Sequence, residues 1–483
     1  MNMSTALNNA IGGLTAASRG AAVVSGNIAN ALTPGYARRS LELTTNTISG
    51  HGVRTVGVVR HQDPVLTANR RSADADLSLQ TVVSGFHTQL ERLVGGPDDA
   101  TSLAARLADF DGSLITAASL PESSERLDQV ARTGRDLADK LNATSEGLRQ
   151  MRSDADRTIG KQVDSLNQTL KDLEEINAKI PAVKYVGGDI GALLDQRQVL
   201  IDQVNQILPV NVVPRANDQV SIYSDGGLIL LEGSAAEFSY TTTGDTKPHM
   251  TVDNGLLSGL TLNGNSVRTL GDNAQIRGGA LAAQFHIRDA LAVEVQSNLD
   301  TVAQDLIERF ETPGLDPTAL ATDAGVFTDA SNRFDPAAAA GLASRISLNQ
   351  IVDPDAGGQS WRLRAGLGAA APGDPGDASQ LHAFSAILSA ARPVANPVFG
   401  TGDMRASDLT EALMSKTGAD AHTANQRLVF ANSTQEEMTR IEAEQGVDTD
   451  QELQRLIQIE QTYAANARLI SVVDELMETL LRL

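Results

Sequence analysis

Side chains that commonly carry out chemistry are few and scattered in this 483-residue sequence. There is no cysteine, which excludes disulfides, thiol nucleophiles and thiolate metal sites. No two histidines have the i, i+3 or i+4 spacing that places two metal ligands on one helix face; they lie at positions 51, 61, 87, 249, 286, 382 and 422. Adjacent acids such as Glu174 and Glu175 do not share a helix face. We therefore interpret them as solvent-exposed charges rather than as a catalytic pair of carboxylates. We therefore predict no catalytic residue, no metal site and no cofactor.

The charge balance argues against nucleic acid as a partner and distinguishes the two ends of the chain. The formal net charge is −21 and aromatic residues make up 3% of the sequence, so the chain repels phosphates and has few rings to stack on bases. The first 60 residues carry five arginines and one glutamate, a net charge of +4. Residues 440–483 carry four arginines and nine acids, a net charge of −5. The two ends are therefore electrostatically complementary.

The hydropathy pattern predicts neither a membrane partner nor a cleavable signal peptide. No uncharged apolar run approaches the roughly 18–20 residues that a membrane helix needs. The first basic residue is Arg19, and no basic region precedes an apolar one near the N-terminus. Any secretion of this chain is therefore expected to use a route without signal cleavage.

Both terminal segments show the heptad pattern of helices that pack along a seam, with apolar residues at alternating spacings of three and four. The N-terminal seam is Leu7, Ala10, Leu14, Ala17, Ala21, Val24, Ile28 and Ala31. The C-terminal seam is Leu456, Ile459, Tyr463, Asn466, Ile470, Val473, Met477 and Leu480. Glycines inside the first seam cost about 1 kcal/mol each relative to alanine, so that helix is expected to need partners. Thr449 and Glu452 predict a capping box for the C-terminal helix. The alternative is that each helix packs only on its own domain core.

The interior predicts a mainly α fold with an inserted β-rich domain. Helical periodicity covers most of residues 62–180 and then 190–207, 279–311, 378–389 and 406–445. Residues 209–275 contain β-prone runs separated by the turn signals Asp225-Gly226-Gly227, Asn254-Gly255 and Asn263-Gly264. Residues 313–375 are rich in Pro, Ala, Gly and Asp, which indicates loops or linkers.

Two terminal motifs and two interior ones carry a family resemblance. Asn27-Ile28-Ala29-Asn30 resembles the N-terminus of bacterial flagellar axial proteins, and the continuation Thr33-Pro34-Gly35-Tyr36-Ala37-Arg38-Arg39 is similar to the hook-associated protein 1 family. The C-terminal pattern agrees through Gln461, Tyr463, Asn466-Ala467-Arg468 and Asp474-Glu475-Leu476. Interior stretches similar to that family are Leu193-Leu194-Asp195-Gln196-Arg197 and Gly278-Gly279-Ala280-Leu281-Ala282 with Arg288-Asp289. Ala31-Leu32 and Ala464 depart mildly from the family pattern.

The resemblance implies an elongated axial protein with three domains. Residues 1–58 and 438–483 would form a terminal helical assembly domain in which the two end helices pair like a coiled coil. Residues 59–208, 276–312 and 376–437 would form a helical middle domain. Residues 209–275 and 313–375 would form a β-rich or variable outer domain.

The resemblance also implies a role and partners. The chain would be a non-enzymatic structural adaptor at the junction of hook and filament, outside the cell, exported unfolded by the flagellar type III system. It would contact other copies of itself, the hook protein on one side, a second hook-associated protein and the filament on the other, and an export chaperone. The alternatives are a hook or distal rod protein of the same superfamily, and a secreted enzyme with its active site in the β-rich insertion.

Assembly residues follow from the two seams and the motif. In the N-terminal helix they are Leu7, Leu14, Val24, Asn27, Ile28 and Asn30. In the C-terminal helix they are Leu456, Ile459, Tyr463, Asn466, Ala467, Ile470, Val473, Asp474 and Leu480. The turn after the first helix comprises Thr33, Pro34, Gly35, Tyr36, Arg38 and Arg39, and we expect both arginines to meet the acidic C-terminal segment.

Overall fold

In the computed structural model, which describes residues 3–45, 52–394, 396–400 and 402–482 apart from the side chains of Pro397 and Leu480, the chain is mainly helical. The helices are α1 (Met3–Ala29), α2 (Pro64–Val94), α3 (Leu103–Ala118), α4 (Ser124–Tyr185), α5 (Gly191–Ile207), α6 (Gly279–His286), α7 (Ala292–Phe310), α8 (Arg362–Ala365), α9 (Ser379–Ser389), α10 (Ala406–Glu444) and α11 (Thr449–Leu481). A single π turn, Ile287–Leu291, joins α6 to α7. The helices predicted from periodicity are confirmed, with ends that differ by a few residues.

Short antiparallel strands make up the β component. They are β1 (Arg39–Thr45), β2 (Val53–Arg60), β3 (Val210–Pro214), β4 (Val220–Ser224), β5 (Ile229–Glu232), β6 (Ser234–Ala235), β7 (Phe238–Ser239), β8 (Leu260–Leu262), β9 (Asn265–Val267), β10 (Phe327–Asp329), β11 (Ile346–Leu348), β12 (Arg392–Pro393) and β13 (Asp403–Met404). The β-rich insertion contains a four-stranded sheet in the order β3-β4-β5-β6 and a three-stranded sheet in the order β7-β8-β9.

Two of the three predicted hairpin turns join strands. Asp225-Gly226-Gly227 lies between β4 and β5, and Asn263-Gly264 between β8 and β9, where both residues have positive φ. The prediction for Asn254-Gly255 is wrong, because these residues form a turn inside the loop between β7 and β8.

A hairpin in the first 60 residues was not predicted, because that segment was assigned to a helical domain. β1 and β2 pair in antiparallel register from Arg39 opposite Arg60 to Thr45 opposite Val53, with an irregularity after Glu42. Leucine, valine and threonine dominate these strands, and such residues favour extended backbone. Residues 46–51, which include His51, lie outside the described part of the chain.

The chain divides into two compact units, which we name by their content. The terminal unit comprises residues 1–77, 166–236 and 431–483, and the central unit comprises residues 78–165 and 237–430. Helices α2, α4 and α10 contribute residues to both. This division separates β3–β6 from β7–β9 within the insertion, so the three-domain scheme drawn from the sequence stays a prediction.

The central unit has a large apolar core that contains an aromatic cluster. Phe110, Phe310, Phe327 and Phe384 meet edge to face with centroids 5.3 to 6.1 Å apart, a favoured geometry for aromatic rings. Residues 313–375 supply part of this core, including Val326, Phe327, Leu342, Ile346 and Leu363. That segment therefore packs with helices α3, α4 and α7, although the sequence scheme grouped it with the outer domain.

A charged cluster holds three helices together in the terminal unit. The Arg70 guanidinium contacts Asp202 of α5 at 2.6 Å and Glu442 of α10 at 2.5 Å, and it also pairs with Asp74 on its own helix. Arg71 reaches the second oxygen of Asp202 at 2.7 Å. These side chains are mostly buried, so losing one partner would leave an uncompensated charge with little access to water.

Candidate assembly site

The terminal helices α1 and α11 pack against each other in antiparallel register. Asn27 contacts Glu452, Gly20 contacts Ile459, and Gly13 contacts Asn466. Each step of seven residues back along α1 is thus matched by a step of seven forward along α11. A shared seven-residue step is the geometry of coiled-coil packing.

Glycines in α1 lie where a neighbouring element comes close. A Cβ atom on Gly13 would lie 2.7 Å from Nδ2 of Asn466, and one on Gly20 would lie 3.3 Å from Cδ1 of Ile459. A Cβ on Gly12 would lie 3.2 Å from the carbonyl oxygen of Val53 in β2. Gly26 has no described neighbour within 4 Å of its Cβ position. Three of the four glycines therefore permit close packing that offsets their cost to the helix.

The predicted seam residues have unequal burial. Val24 and Val473 are buried, as are Ala10 and Ala17 of the same pattern. The half-buried members are Leu7, Leu14, Ile28, Leu456, Ile459, Asn466, Ala467 and Ile470. Tyr463 and Asp474 are exposed, and the side chain of Leu480 lies outside the described residues. The seam is thus only partly covered within one chain.

The segment after α1 forms the predicted turn. Asn30 donates through Nδ2 to the carbonyl oxygen of Gly26 at 2.9 Å, beyond the last helical residue. The amide of Tyr36 donates to the carbonyl oxygen of Thr33 at 3.1 Å, with Pro34 and Gly35 between them. Gly35 has a φ of 76°, which glycine adopts without strain at the third position of such a turn. Its Cα faces α5, so a Cβ there would also collide with Val199.

Asn27 is the fully buried centre of a polar network. Its Nδ2 donates to the carbonyl oxygen of Arg39 at 2.8 Å and to Oε2 of Glu452 at 2.9 Å. Its Oδ1 accepts from the Tyr36 hydroxyl at 2.8 Å and from the Arg39 amide at 3.0 Å. All four hydrogen-bonding positions of the amide are used. One side chain therefore connects the end of α1, the turn, the start of β1 and α11.

Glu452 has a different role from the predicted one. Asp448, not Thr449, caps α11, because its carboxylate accepts from the amides of Asp450 and Gln451. The Glu452 carboxylate is 1% exposed and accepts from Arg38 Nε at 2.8 Å as well as from Asn27. The prediction of a capping box is therefore wrong. Glu452 points toward α1 because Asn27 and Arg38 both donate hydrogen bonds to its carboxylate.

Among the described residues, only one of the two motif arginines meets the C-terminal segment. Arg38 does so through Glu452, but Arg39 pairs with Asp195 of α5 at 2.6 Å. Arg60 of β2 binds the other Asp195 oxygen at 2.8 Å. Asp195 thus balances the charges of both Arg39 and Arg60. Glu452 pairs with Arg38 instead.

The surroundings of Tyr36 set its ionisation. Burial raises the pKa of its hydroxyl, and the acidic neighbours Asp195 and Glu452 add to this, whereas the Arg39 guanidinium acts in the opposite direction. The Arg39 guanidinium carbon lies 4.9 Å from the centre of the Tyr36 ring. Tyr36 is therefore a neutral hydrogen-bond donor to Asn27 at physiological pH.

Sequence reasoning missed Asp195 and Arg60 as members of this site. Asp195 lies 156 residues from Arg39, and its only signal was its place in the Leu193-Leu194-Asp195-Gln196-Arg197 stretch. Arg60 was counted in the basic N-terminal segment but not placed, because the hairpin that carries it was not predicted. Both depend on contacts between distant segments.

The Arg288-Asp289 stretch belongs to a buried network in the central unit. Arg288 lies on the π turn and forms two hydrogen bonds of 2.7 Å with Asp289. It also contacts Asp156 of α4 at 3.2 Å and the hydroxyl of Tyr240. Arg288 and Asp156 are fully buried. The network anchors the loop after β7 to α4 and leaves each charge paired.

Within the described ranges, no group of three or more His, Cys, Asp or Glu side chains is placed to hold a metal ion. In the same ranges, no helix combines the length and the apolar character needed to cross a bilayer.

Comparisons with known proteins show which families parts of this chain resemble. Residues 87–314 match the family model described as the flagellar hook-associated protein FlgK helical domain. Residues 443–483 match the flagellar basal body rod FlgEFG protein C-terminal model. These ranges contain the whole of α3 to α7 and the whole of α11.

Several relatives share the name flagellar hook-associated protein 1. The Bacillus subtilis (strain 168) protein is 24% identical over 500 residues, which cover 96% of this chain and 95% of that protein. The Escherichia coli (strain K12) protein is 28% identical over 243 residues, 48% of this chain and 44% of that protein. The chain therefore spans less than half the length of the enterobacterial relative.

A solved structure, that of the flagellar hook junction protein FlgK from Burkholderia pseudomallei, aligns with a TM-score of 0.45 and 18% identity. The alignment covers 55% of this chain and 46% of that one. The helical-domain model and the near full-length bacterial relative therefore show that this chain is similar to flagellar hook-associated protein 1, and its C-terminal segment is similar to flagellar rod proteins.

Proposed function

We propose that this protein is a non-enzymatic structural subunit that assembles at the junction between the flagellar hook and filament. It reaches this place outside the cell through the flagellar type III export system, without a cleaved signal peptide. Its partners are further copies of itself, the hook protein on one side, and a second hook-associated protein with the filament on the other. An export chaperone binds it before export.

The observation that carries this proposal is the incomplete burial of α11. Its inner face packs on α1, yet Leu453, Ile457, Leu469, Val472 and Leu476 remain between 47% and 55% exposed. Exposing a row of large apolar side chains along a single helix to water is energetically unfavourable, and such a surface is typical of a site that contacts another protein. The unpartnered face therefore supports assembly through the chain termini.

The antiparallel pair also suits a helical assembly. The N-terminal segment is basic and the C-terminal segment acidic, so surfaces from the two segments on neighbouring copies attract each other. Contacts between two different surfaces do not close on themselves in a pair, and they generate rings or tubes when repeated. The assembly residues of the two seams, and the three-domain scheme, form part of this proposal.

A truncation in a strain that lacks the protein tests the proposal. A chain without residues 450–483 should remain folded in its central unit, as judged by circular dichroism, but should be absent from isolated hooks. The full-length chain is the control. Normal incorporation of the truncated chain would contradict assembly through the terminal pair.

Electron microscopy of the deletion strain separates the proposal from a hook or distal rod protein. That alternative deserves a test because residues 443–483 match a rod-protein model. Hooks without filaments are expected for a junction protein. Absence of hooks would favour the alternative.

A further inference from the structure

Two Asn-Gly pairs of the central unit are exposed to water, and each contains the groups for an intramolecular reaction. Asn254-Gly255 lies in the loop between β7 and β8, and Asn263-Gly264 forms the turn between β8 and β9. The backbone nitrogen that follows an asparagine can attack the asparagine side-chain amide, because the chain itself holds the two groups close together. Glycine has no Cβ atom to obstruct this approach. The two pairs contain the same residues and differ in their hydrogen bonds.

The attacking nitrogen is engaged in one pair and available in the other. The Gly255 amide donates to the carbonyl oxygen of Val252 at 3.0 Å. The Gly264 amide has no hydrogen-bond acceptor among the described residues. An amide that already donates to a carbonyl oxygen has to break that bond before it can lose its proton and attack. Gly264 therefore supplies the more accessible nucleophile.

The side-chain nitrogen that would leave as ammonia shows the same difference. Nδ2 of Asn254 donates to the carbonyl oxygen of His249 at 2.7 Å, and its Oδ1 accepts from the Thr251 amide at 3.0 Å. Oδ1 of Asn263 accepts from the Glu237 amide at 2.9 Å, but its Nδ2 has no acceptor in the part of the chain that the structure describes. A donor faces Oδ1 in both pairs, so stabilisation of charge on this oxygen does not distinguish them. The leaving group is held at Asn254 and free at Asn263.

We propose that Asn263 is a site of spontaneous deamidation and isomerisation, and that the fold protects Asn254 from the same reaction. The Gly264 nitrogen forms a bond to Cγ of Asn263, the bond from Cγ to Nδ2 breaks, and ammonia leaves with the proton of the Gly264 amide. Water then opens the cyclic imide at either carbonyl and yields aspartate or isoaspartate. Water is the only co-reactant, and the proposal does not depend on the junction role.

The reaction would alter the edge of the sheet that contains β7, β8 and β9. Asn263 bonds Glu237 twice, since its amide donates to the Glu237 carbonyl oxygen and its Oδ1 accepts from the Glu237 amide, both at 2.9 Å. Isoaspartate adds a methylene group to the main chain at a residue whose φ of 49° is already uncommon outside glycine. Both products also add a carboxylate to a chain whose formal net charge is −21. We expect the modified turn to be less stable, while the helices of the central unit stay folded.

Peptide mapping of the full-length chain tests the proposal. The purified chain is kept in heavy-oxygen water at mildly alkaline pH, which favours loss of the amide proton. Samples are then digested in ordinary water with chymotrypsin, which cleaves after leucines such as Leu257 and so separates the two pairs. Each conversion leaves one heavy oxygen in the product, which mass spectrometry detects. The peptide with Asn263 should gain this label at least several-fold faster than the peptide with Asn254, and fragmentation between Cα and Cβ identifies isoaspartate.

A sample denatured in guanidinium chloride is the matched control, because both pairs then lose their hydrogen bonds. Asn254 and Asn263 should take up label at similar rates in this sample. A second control, Asn263→Gln, moves the side-chain carbonyl one bond farther from the Gly264 nitrogen. It should remove the label at position 263 and leave the slow labelling of Asn254 unchanged.

The outcomes are decisive for the proposal and separate from the proposed function. Labelling of Asn254 that is as fast as that of Asn263 in the folded chain would overturn the proposal. Absence of label at Asn263 in the folded chain, when both sites react in the denatured one, would overturn it too. A preference for Asn263 that stays the same in denaturant would contradict protection by the fold. None of these results changes the junction role, which the hook and filament phenotypes test.

Discussion

The terminal helix pair and the core of the central unit bury apolar surface in opposite ways. In the core, large aromatic rings such as Phe110 and Phe327 are completely buried and contact one another. In the terminal pair, the buried seam positions of α1 are mostly alanine, while large side chains of α11 such as Leu469 and Val472 stay in water. The core is complete in one chain. The terminal pair buries only part of its apolar surface within one chain, and the proposed assembly with other copies would bury the rest.

The largest expected effect tests the complete core. Phe327→Ala should lower the free energy of unfolding by about 3–5 kcal/mol, because it removes a buried ring and leaves a cavity. Chemical denaturation of the full chain measures this. Val472→Ala is the counterpart, since it shortens an exposed side chain and should leave the unfolding of the isolated chain almost unchanged while impairing incorporation into flagella. Equal destabilisation by both substitutions would remove the contrast between the two regions.

The next effect tests the polar centre of the terminal unit. Asn27→Ala should cost about 1–3 kcal/mol, because it leaves the buried Glu452 carboxylate and the Tyr36 hydroxyl each without one partner. Loss of helix signal at lower denaturant concentration would report this. Asn30→Ala is the control, since Asn30 bonds only near its own turn. An equal effect of the two changes would show that the network does not hold α11.

How much of this arrangement the sequence predicts depends on the range of the interactions. The helices were predictable because their apolar periodicity is local, and the turn at Pro34 and Gly35 because proline and glycine restrict local backbone. The register of α1 on α11 was not predictable, since it depends on Gly13 meeting Asn466. The sequence also did not indicate that Arg38 would pair with Glu452 while Arg39 pairs with Asp195. An acid placed three residues after a threonine resembles a cap until the distant arginines are positioned.

A smaller change in stability is expected when alanine replaces either of two glycines of α1. Gly26→Ala should stabilise the chain by up to about 1 kcal/mol, because alanine favours the helix and the added methyl meets open space. Gly13→Ala should instead destabilise it, because its methyl would overlap the Asn466 side chain. Thermal unfolding of both variants gives the comparison. A stabilising Gly13→Ala would mean that α11 does not approach α1 as closely as described.

The smallest expected effect is a pH dependence in the central unit. His87 is mostly buried and its Nδ1 has no hydrogen-bond partner among the described residues. Burial lowers its pKa, assisted by Lys416 and His286 and opposed by Asp420 and Glu294. The unfolded chain therefore binds the proton more readily. The stability is fully present above the ordinary histidine pKa of about 6.5 and is lost as the pH falls toward the lowered value.

His87→Gln should flatten the dependence of the unfolding midpoint on pH below about 6.5. The control is His382→Gln, which changes an exposed histidine of the same unit. The same pH profile for His87→Gln and the wild-type chain would contradict this assignment.

The hydrogen bond between Asn27 and Glu452 joins residues 425 positions apart. A ribosome therefore completes α1 long before it makes the residue that holds α1 in place. A chain cut short anywhere before α11 leaves Asn27, Arg38 and the glycine-bearing side of α1 without their counterpart. Pairing of α1 consequently depends on synthesis of α11: a chain that stops before Glu452 lacks the acceptor that Asn27 and Arg38 share.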